Sequence, residues 1–201
     1  MSSPAPWIAE SPLLAHAYGL AEVAHRAQQR PTDGRPFLSH VTEVATFLHR
    51  DAFDEELVAA GLLHDAVERG TLTEEELRSE VDEGISSLVL ALSEDPTIES
   101  FDERKATLRA QVKAAGPRAL TVFAADKLSD ILGLRRGIQT FADSIEERMG
   151  TSVGSMAGHY RESVELIESE SPDSSFLPAL RLQLARLEAE SRPAVGPAAR
   201  A

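Results

Sequence analysis

The 201-residue sequence contains no cysteine, which excludes both a disulfide framework and a thiolate metal site. Any metal ion must therefore bind nitrogen and oxygen ligands. Positive charge is also scarce: the formal net charge is −13 at pH 7, which argues against nonspecific nucleic-acid binding, since that needs a basic surface. A small anionic substrate remains compatible with this charge, because a metal ion or a local basic pocket can override the overall field.

Long apolar runs are absent too, so we expect no membrane-spanning helix and no membrane partner. The first ten residues lack a basic region followed by an apolar run, so no signal peptide is predicted and we expect a cytoplasmic protein. We find no internal repeat, no glycine-rich phosphate loop and no convincing strand. The hydrophobic fraction of 42% is ordinary for a globular chain and suffices for one sizeable core.

Helical periodicity of the apolar residues predicts an all-α single domain over residues 11–190. We expect a flexible tail over residues 1–10 and a disordered tail over the Pro/Ala/Gly-rich residues 191–201. The predicted helices span approximately 11–30, 38–50, 54–69, 74–81, 84–93, 101–115, 117–141, 156–170 and 176–190.

The helix predicted over residues 54–69 carries the densest set of side chains that could bind a metal ion or transfer a proton. Asp54 is the expected N-cap, and an apolar stripe follows it at helical spacing. His64, Asp65 and Glu68 lie within this apolar segment, at separations that place them on neighbouring faces. Burying an adjacent His and Asp costs desolvation unless something compensates, and a bound metal ion would do so.

Four candidate ligands are spread over three predicted helices: His40, His64, Asp65 and Asp126. Two imidazoles and two carboxylates suit a divalent first-row ion such as Mn, Fe, Co, Ni or Zn, with positions left for water and a substrate oxygen. Spacing alone leaves another interpretation open. The His-Asp pair can be a hydrogen-bonded core feature, and Asp126 can be paired with the neighbouring Lys127.

The order His…His-Asp…Asp on successive helices resembles that of the HD superfamily of metal-dependent phosphohydrolases. The resemblance covers about residues 21–136 and is nearest to the RelA/SpoT-type branch, including small alarmone hydrolases and the metazoan SpoT homologue. It implies an HD-domain helical bundle. The residues that carry it are Ala24-His25-Arg26-Ala27-Gln28, Gly34-Arg35-Pro36-Phe37-Leu38-Ser39-His40, Ala59-Ala60-Gly61-Leu62-Leu63-His64-Asp65-Ala66-Val67-Glu68, Glu103-Arg104-Lys105 and Ala124-Ala125-Asp126-Lys127-Leu128.

Carried over position by position, the resemblance implies that the four candidate ligands hold a metal ion, with manganese expected. Glu68 falls on the catalytic carboxylate that follows the His-Asp pair. The family removes the 3′-pyrophosphate from guanosine tetra- and pentaphosphate, so we expect a phosphohydrolase acting on a phosphorylated small molecule, most simply a nucleotide. The alternative is a non-catalytic HD protein that keeps its metal for a structural or sensing role. The sequence predicts no oligomeric state.

Departures from the family pattern lie at positions that face the substrate. Arg69 replaces the second acid of a Glu-Asp pair; it can pair with Asp65, reach a substrate phosphate, or be a solvent-exposed cation at a helix end. Asp130 replaces an amide one turn beyond Asp126, and Leu132 replaces an arginine. We expect these changes to disfavour the guanosine alarmone as substrate. The cations available to hold phosphates are Arg30, Arg69, Lys105 and Lys127, although helical lysines are commonly solvated surface residues.

Overall fold

The computed structural model describes residues 4–191, and over that range the chain is all-α, as predicted. The β structure in this range is limited to one bridge between Gln29 and Pro36. A single continuous apolar core makes one domain. The α-helices described are α1 Pro6–Ala9, α2 Pro12–Ala24, α3 Leu38–Arg50, α4 Glu55–Leu63, α5 Glu74–Glu80, α6 Glu83–Leu92, α7 Phe101–Ala115, α8 Pro117–Phe141, α9 Ile145–Met149, α10 Val153–Glu170 and α11 Leu177–Glu190, with a 3₁₀ turn at Ala142–Ser144.

Helix α8 is the central element of the bundle and contacts α3, α4, α6, α7, α10 and α11. It begins at Pro117, whose missing N–H is tolerated in a first turn, and its predicted bounds are confirmed. Helix α4 is buried from Leu57 to Leu63, as expected for a segment that is apolar all round. These two buried helices carry three of the four candidate ligands on or just beyond them.

Side-chain caps fix where several helices begin. Asp54 accepts a hydrogen bond from the backbone N–H of Leu57, as predicted, and Thr73 and Glu76 form a reciprocal capping box at α5. At the start of α3, Ser39 donates its hydroxyl to the carbonyl of Pro36. Among residues 4–191, no helix combines the length and hydrophobicity needed to cross a membrane.

The prediction of one helix over residues 54–69 is wrong at its C-terminal end. Helix α4 ends at Leu63, and residues 64–69 form tight turns. The Ala66 N–H donates to the Leu63 carbonyl, and the Asp65 carbonyl accepts from the backbone N–H groups of both Arg69 and Gly70. The regular series of i→i−4 hydrogen bonds is therefore interrupted. The apolar pattern continues through Ala66 and Val67, which is why periodicity extended the helix too far.

The N-terminal prediction also needs correction. Residues 6–9, expected to belong to a flexible tail, form α1, and Ile8 is fully buried in the core. Apart from Ser191, the tail predicted over residues 191–201 lies outside the described residues.

Helix α2 ends at Ala24 rather than near residue 30, and residues 25–37 form a loop. This loop packs closely on α8 where two glycines lie one turn apart. A Cβ at Gly137 would collide with the Thr32 carbonyl, and one at Gly133 would collide with the Arg30 guanidinium. The close approach places Arg30 beside the candidate metal site.

Candidate metal centre and adjoining cavity

Four side chains that are far apart in sequence meet at one buried point. His40 comes from α3, His64 and Asp65 from the turn after α4, and Asp126 from the middle of α8. Each imidazole Nε2 lies 3.2–3.4 Å from the other and from one oxygen of each carboxylate. All four residues are at most 8% exposed. The structure therefore brings together the complete predicted ligand set.

The spacing of these atoms fits a metal ion. Five distances between these atoms are 3.2–3.4 Å. Neighbouring ligand atoms that are each ~2.0–2.2 Å from a shared ion lie at about this separation from one another. The set of two imidazoles and two carboxylates suits a divalent first-row ion.

The histidine ring nitrogens are arranged for coordination. His64 Nδ1 lies 2.9 Å from the Gly61 carbonyl, which can only accept, so Nδ1 carries the proton and Nε2 presents a lone pair. His40 Nδ1 lies 2.9 Å from Ser129 Oγ. Both Nε2 atoms face the cluster, an arrangement typical of metal-binding histidines whose other nitrogen is held by an outer partner.

Electrostatics keep the carboxyl groups ionised. Burial alone would raise the pKa of Asp65 and Asp126, but His64, and for Asp126 chiefly Lys127, hold both pKa values well below the usual range. Burial likewise opposes the charged form of His64, yet the two carboxylates raise the pKa of His64 well above its usual value. The cluster therefore has a strong preference for a cation, whether a proton or a metal ion.

Glu68 and Arg69 lie at the edge of this centre. Glu68 Oε2 accepts a hydrogen bond of 2.9 Å from the Glu94 N–H, and burial together with Asp65 raises the pKa of Glu68. Arg69 Nε lies 3.6 Å from Asp65 Oδ1 and 3.4 Å from Glu68 Oε1, while 45% of its side chain is exposed. Arg69 thus pairs with Asp65 and remains at the cavity edge, within reach of a ligand.

The other predicted substrate-binding residues also line the cavity, but each has a partner. Lys105 pairs with Glu94, and Lys127 Nζ lies 2.8 Å from Asp126 and 3.1 Å from Asp130. Arg30 is buried and lies 3.2 Å from Asp130. Asp130, expected to disfavour the guanosine alarmone, is therefore paired with two cations.

Two further polar residues of the cavity wall were not among the predicted site residues. His159 and Tyr160 on α10 are 4% and 1% exposed, and within residues 4–191 neither His159 Nε2 nor the Tyr160 hydroxyl has a hydrogen-bond partner. Arg109 Nη1 donates to His159 Nδ1 at 2.8 Å, which leaves the ring proton on Nε2. The signal in the sequence was an adjacent His-Tyr pair within the helix predicted over residues 156–170.

Their ionisation states make both groups neutral donors. Burial, reinforced by the nearby cations Lys127, Lys105 and Arg109, keeps the pKa of His159 well below its usual value. Burial, and then the negative charge of Asp130, raises the pKa of Tyr160. An imidazole N–H and a phenol O–H are therefore available to an acceptor in the cavity.

The cavity next to the four candidate ligands has a volume of about 420 Å³, within the range of small-molecule sites. Five cationic side chains and six carboxylates line its described part, so a bound divalent ion would leave it with a net positive charge. Apolar side chains form another part of the wall: Leu92, Phe101, Leu108, Met149 and Met156.

A family model described as HD domain matches residues 17–140, which is more than half of the chain. The chain belongs to the HD-domain family. The matched segment contains all four candidate ligands and Glu68, and it ends before α10, which carries His159 and Tyr160.

Named relatives of this HD domain act on guanosine nucleotides. The chain is 32% identical over 130 residues to the human guanosine-3′,5′-bis(diphosphate) 3′-pyrophosphohydrolase MESH1, and the match covers 63% of the chain and 72% of that protein. It is 33% identical over 122 residues to a GTP pyrophosphokinase of Streptomyces coelicolor, but that match covers 59% of the chain and only 14% of the relative's length.

The fold is shared with a solved structure. A metazoan ortholog of SpoT that hydrolyses ppGpp superposes with a TM-score of 0.70 at 22% identity, covering 94% of this chain and 98% of that one. At this identity the likeness establishes the fold, and it extends beyond the residues matched by the family model.

Proposed function

We propose that this HD domain is a divalent-metal-dependent phosphohydrolase that cleaves a phosphate or pyrophosphate ester of a nucleotide-like small molecule. The observation that carries the proposal is the buried cluster in which each imidazole Nε2 lies 3.2–3.4 Å from the other Nε2 and from one oxygen of each carboxylate. The relatives named as pyrophosphohydrolases support the same activity.

Manganese is the ion we propose, held by His40, His64, Asp65 and Asp126, with Fe, Co, Ni and Zn as alternatives that the same ligand set accepts. A bound divalent ion would supply Lewis-acid activation of water and of a phosphoryl group. The cytoplasmic location predicted from the sequence stays a prediction.

Glu68 is the proposed general base or acid. Its carboxyl group is largely buried beside Asp65, and its raised pKa makes it a better proton acceptor than an exposed glutamate. Its second oxygen is fixed by the Glu94 N–H, so the carboxylate is held in one orientation. Arg69 contacts the oxygen on the other side and is proposed to steady Glu68 and to meet a substrate phosphate at the cavity edge.

The remaining wall supports an anionic substrate with an apolar part. His159 and Tyr160 offer neutral donors for phosphate or hydroxyl oxygens, and the apolar side chains of the same cavity offer a surface for a ring system. Arg30, Lys105, Lys127 and Asp130 are proposed to shape this wall through their mutual ion pairs, with Lys105 and Lys127 as the cations next to a bound phosphate.

A second candidate function is metal binding without turnover. The observation that favours it is that Arg30, Arg69, Lys105 and Lys127 are all engaged by carboxylates, which reduces their availability to a substrate.

One experiment separates the two candidates. The purified protein is loaded with Mn²⁺, Co²⁺, Zn²⁺ or Mg²⁺ and incubated with nucleoside 3′- and 5′-phosphates and pyrophosphates, with release of phosphate and pyrophosphate as the readout. Metal-dependent release that is lost in Asp126→Asn would support the hydrolase. Stoichiometric metal without release from any compound would favour the second candidate, and failure to bind any ion would overturn both.

A further inference from the structure

Ser129 lies between one proposed metal ligand and a carboxylate outside the ligand set. It is fully buried on α8, with Oγ 2.9 Å from His40 Nδ1 and 2.6 Å from Glu43 Oε2. A serine hydroxyl has one proton, and Ser129 donates it to the Glu43 carboxylate. Its oxygen can then only accept from His40, so His40 Nδ1 carries the ring proton and Nε2 presents its lone pair to the cluster.

Glu43 is itself held in place as an acceptor. It lies one turn after His40 on α3, and its carboxylate receives Arg136 Nη2 at 3.2 Å. Arg30 Nη1 is 3.8 Å away on another side. Two guanidinium groups therefore lie against the Glu43 carboxylate, and a carboxylate accepts hydrogen bonds from Ser129 rather than donating one to it.

The two imidazoles of the centre consequently differ in how they are oriented. His64 is fixed by a backbone carbonyl, which no side-chain substitution removes. The orientation of His40 depends on a chain of side chains from Glu43 through Ser129 to Nδ1. Outer partners of this kind fix the tautomer of a ligand, raise its basicity and strengthen metal binding.

We propose that Ser129 and Glu43 are positioning residues that set the metal affinity of the centre by holding His40 with its proton on Nδ1. The proposal rests on the metal centre of the proposed function, but it makes no reference to substrate or turnover. Neither residue touches the proposed ion or the reacting atoms; both act through His40.

The test compares two buried serines. Ser129→Ala removes the hydroxyl that connects Glu43 to His40 Nδ1. Ser86→Ala is the matched control, because Ser86 is also buried but donates to the Glu83 carbonyl within its own helix α6. Zn²⁺ and Mn²⁺ affinities are measured by competition with a chelator. We expect Ser129→Ala to weaken binding by about 10–100-fold, the usual effect of removing an outer partner, and Ser86→Ala to leave it unchanged.

A spectroscopic readout separates positioning from a general loosening of the core. In the diamagnetic Zn²⁺ form, proton–nitrogen NMR should show slowly exchanging Nδ1–H signals for both His40 and His64. In Ser129→Ala the His40 signal should shift upfield and exchange faster, while the His64 signal stays as an internal reference. Should Ser129→Ala fail to fold, Glu43→Gln preserves an acceptor and the side-chain volume while removing the charge, and a smaller change in the same direction is expected.

The outcomes are distinguishable. If wild type binds Zn²⁺ and Mn²⁺ and the variants bind them equally well with an unchanged His40 signal, the positioning role is refuted while the hydrolase proposal stands. A wild-type protein that binds neither ion would overturn both proposals.

Discussion

His64 and Asp65 are neighbours in sequence, and His64 Nε2 lies 3.3 Å from Asp65 Oδ2. Adjacent side chains on a regular α-helix project roughly 100° apart, which would keep them from meeting at one point. Here both side chains face His40 and Asp126, at the point where α4 ends and a turn begins. Two neighbouring positions in the sequence therefore supply half of the proposed ligand set.

Removing the side chain of either His64 or Asp65 should abolish metal retention. His64→Ala and Asp65→Ala each delete one of four proposed ligands, so we expect no metal after desalting, measured by plasma emission spectrometry. His16→Ala is the control, because His16 is exposed and contacts Glu80 far from the centre. Full occupancy in either ligand variant would show that the cluster does not hold the metal.

Glu68→Gln should separate binding from turnover. Glutamine keeps the shape and the acceptor for the Glu94 N–H but cannot take up a proton, so metal should stay bound while kcat falls by about 10²–10⁴-fold. Glu75→Gln, on the exposed face of α5, is the matched control. Wild-type turnover in Glu68→Gln, on a substrate found in the screen, would make Glu68 a structural residue.

The cap of α4 should contribute to stability in a pH-dependent way. Asp54 caps the helix and receives two hydrogen bonds from Arg118, at 2.7 and 3.0 Å, which lower its pKa below the ordinary value of 3.8. Asp54→Ala should lower the free energy of unfolding by about 1 kcal/mol at neutral pH, the typical effect of losing an N-cap.

Because the folded-state pKa of Asp54 is the lower one, its ionised form stabilises the fold above pH 3.8, and this contribution is lost as the pH falls through the lowered pKa. Urea unfolding at pH 7 and near pH 3 measures the difference. Asp54→Asn keeps the cap and loses only the charge, so it should lose less stability at pH 7 than Asp54→Ala does. An Asp54→Ala effect that grows on acidification would contradict this account.

Hydrolysis of guanosine 3′,5′-bis(diphosphate) should be weak compared with that of another phosphorylated nucleotide. At the position where the resembling family has a second acid, this chain has Arg69, which contacts both Asp65 and Glu68 and so alters the charge beside the proposed base. We expect Arg69→Asp to increase pyrophosphate release from this compound in the Mn²⁺ form.

Asp130→Asn, alone and combined with Arg69→Asp, tests the other departure. The change removes the charge between Arg30 and Lys127 and should lower KM for anionic substrates by releasing these cations. Robust pyrophosphate release by wild type would refute the altered-substrate interpretation. Unchanged kinetics in all three variants would refute the proposed roles of Arg69 and Asp130.

Much of this architecture could be predicted because it depends on local sequence. The bounds of α3, α7 and α8 follow from apolar periodicity, caps and prolines. The four candidate ligands were predicted from polar residues next to apolar stripes together with the resemblance to the HD superfamily. The end of α4 could not be predicted in this way, because the apolar pattern runs past it. It depends on hydrogen bonds that the turn makes with its own backbone.

The ion-pair and hydrogen-bond partners of the cavity residues could not be predicted from the sequence either. Lys105 meets Glu94, and Arg109 meets His159, only because α7 packs against neighbouring elements. Pairings between distant segments decide whether a cation is available to a ligand, and no local pattern encodes them. Asp130 is an example: the sequence shows its charge, but only the fold shows that Arg30 and Lys127 lie against it.

The loop of residues 25–37 lies against α8 at Gly133 and Gly137, with the Arg30 guanidinium and the Thr32 carbonyl filling the space that side chains would occupy. The surfaces of the loop and of α8 are therefore complementary to each other. In a chimera between this protein and a relative, transplanting the loop alone would set a new backbone against an unmatched helix surface. Exchange should succeed only when both segments are inherited from the same parent.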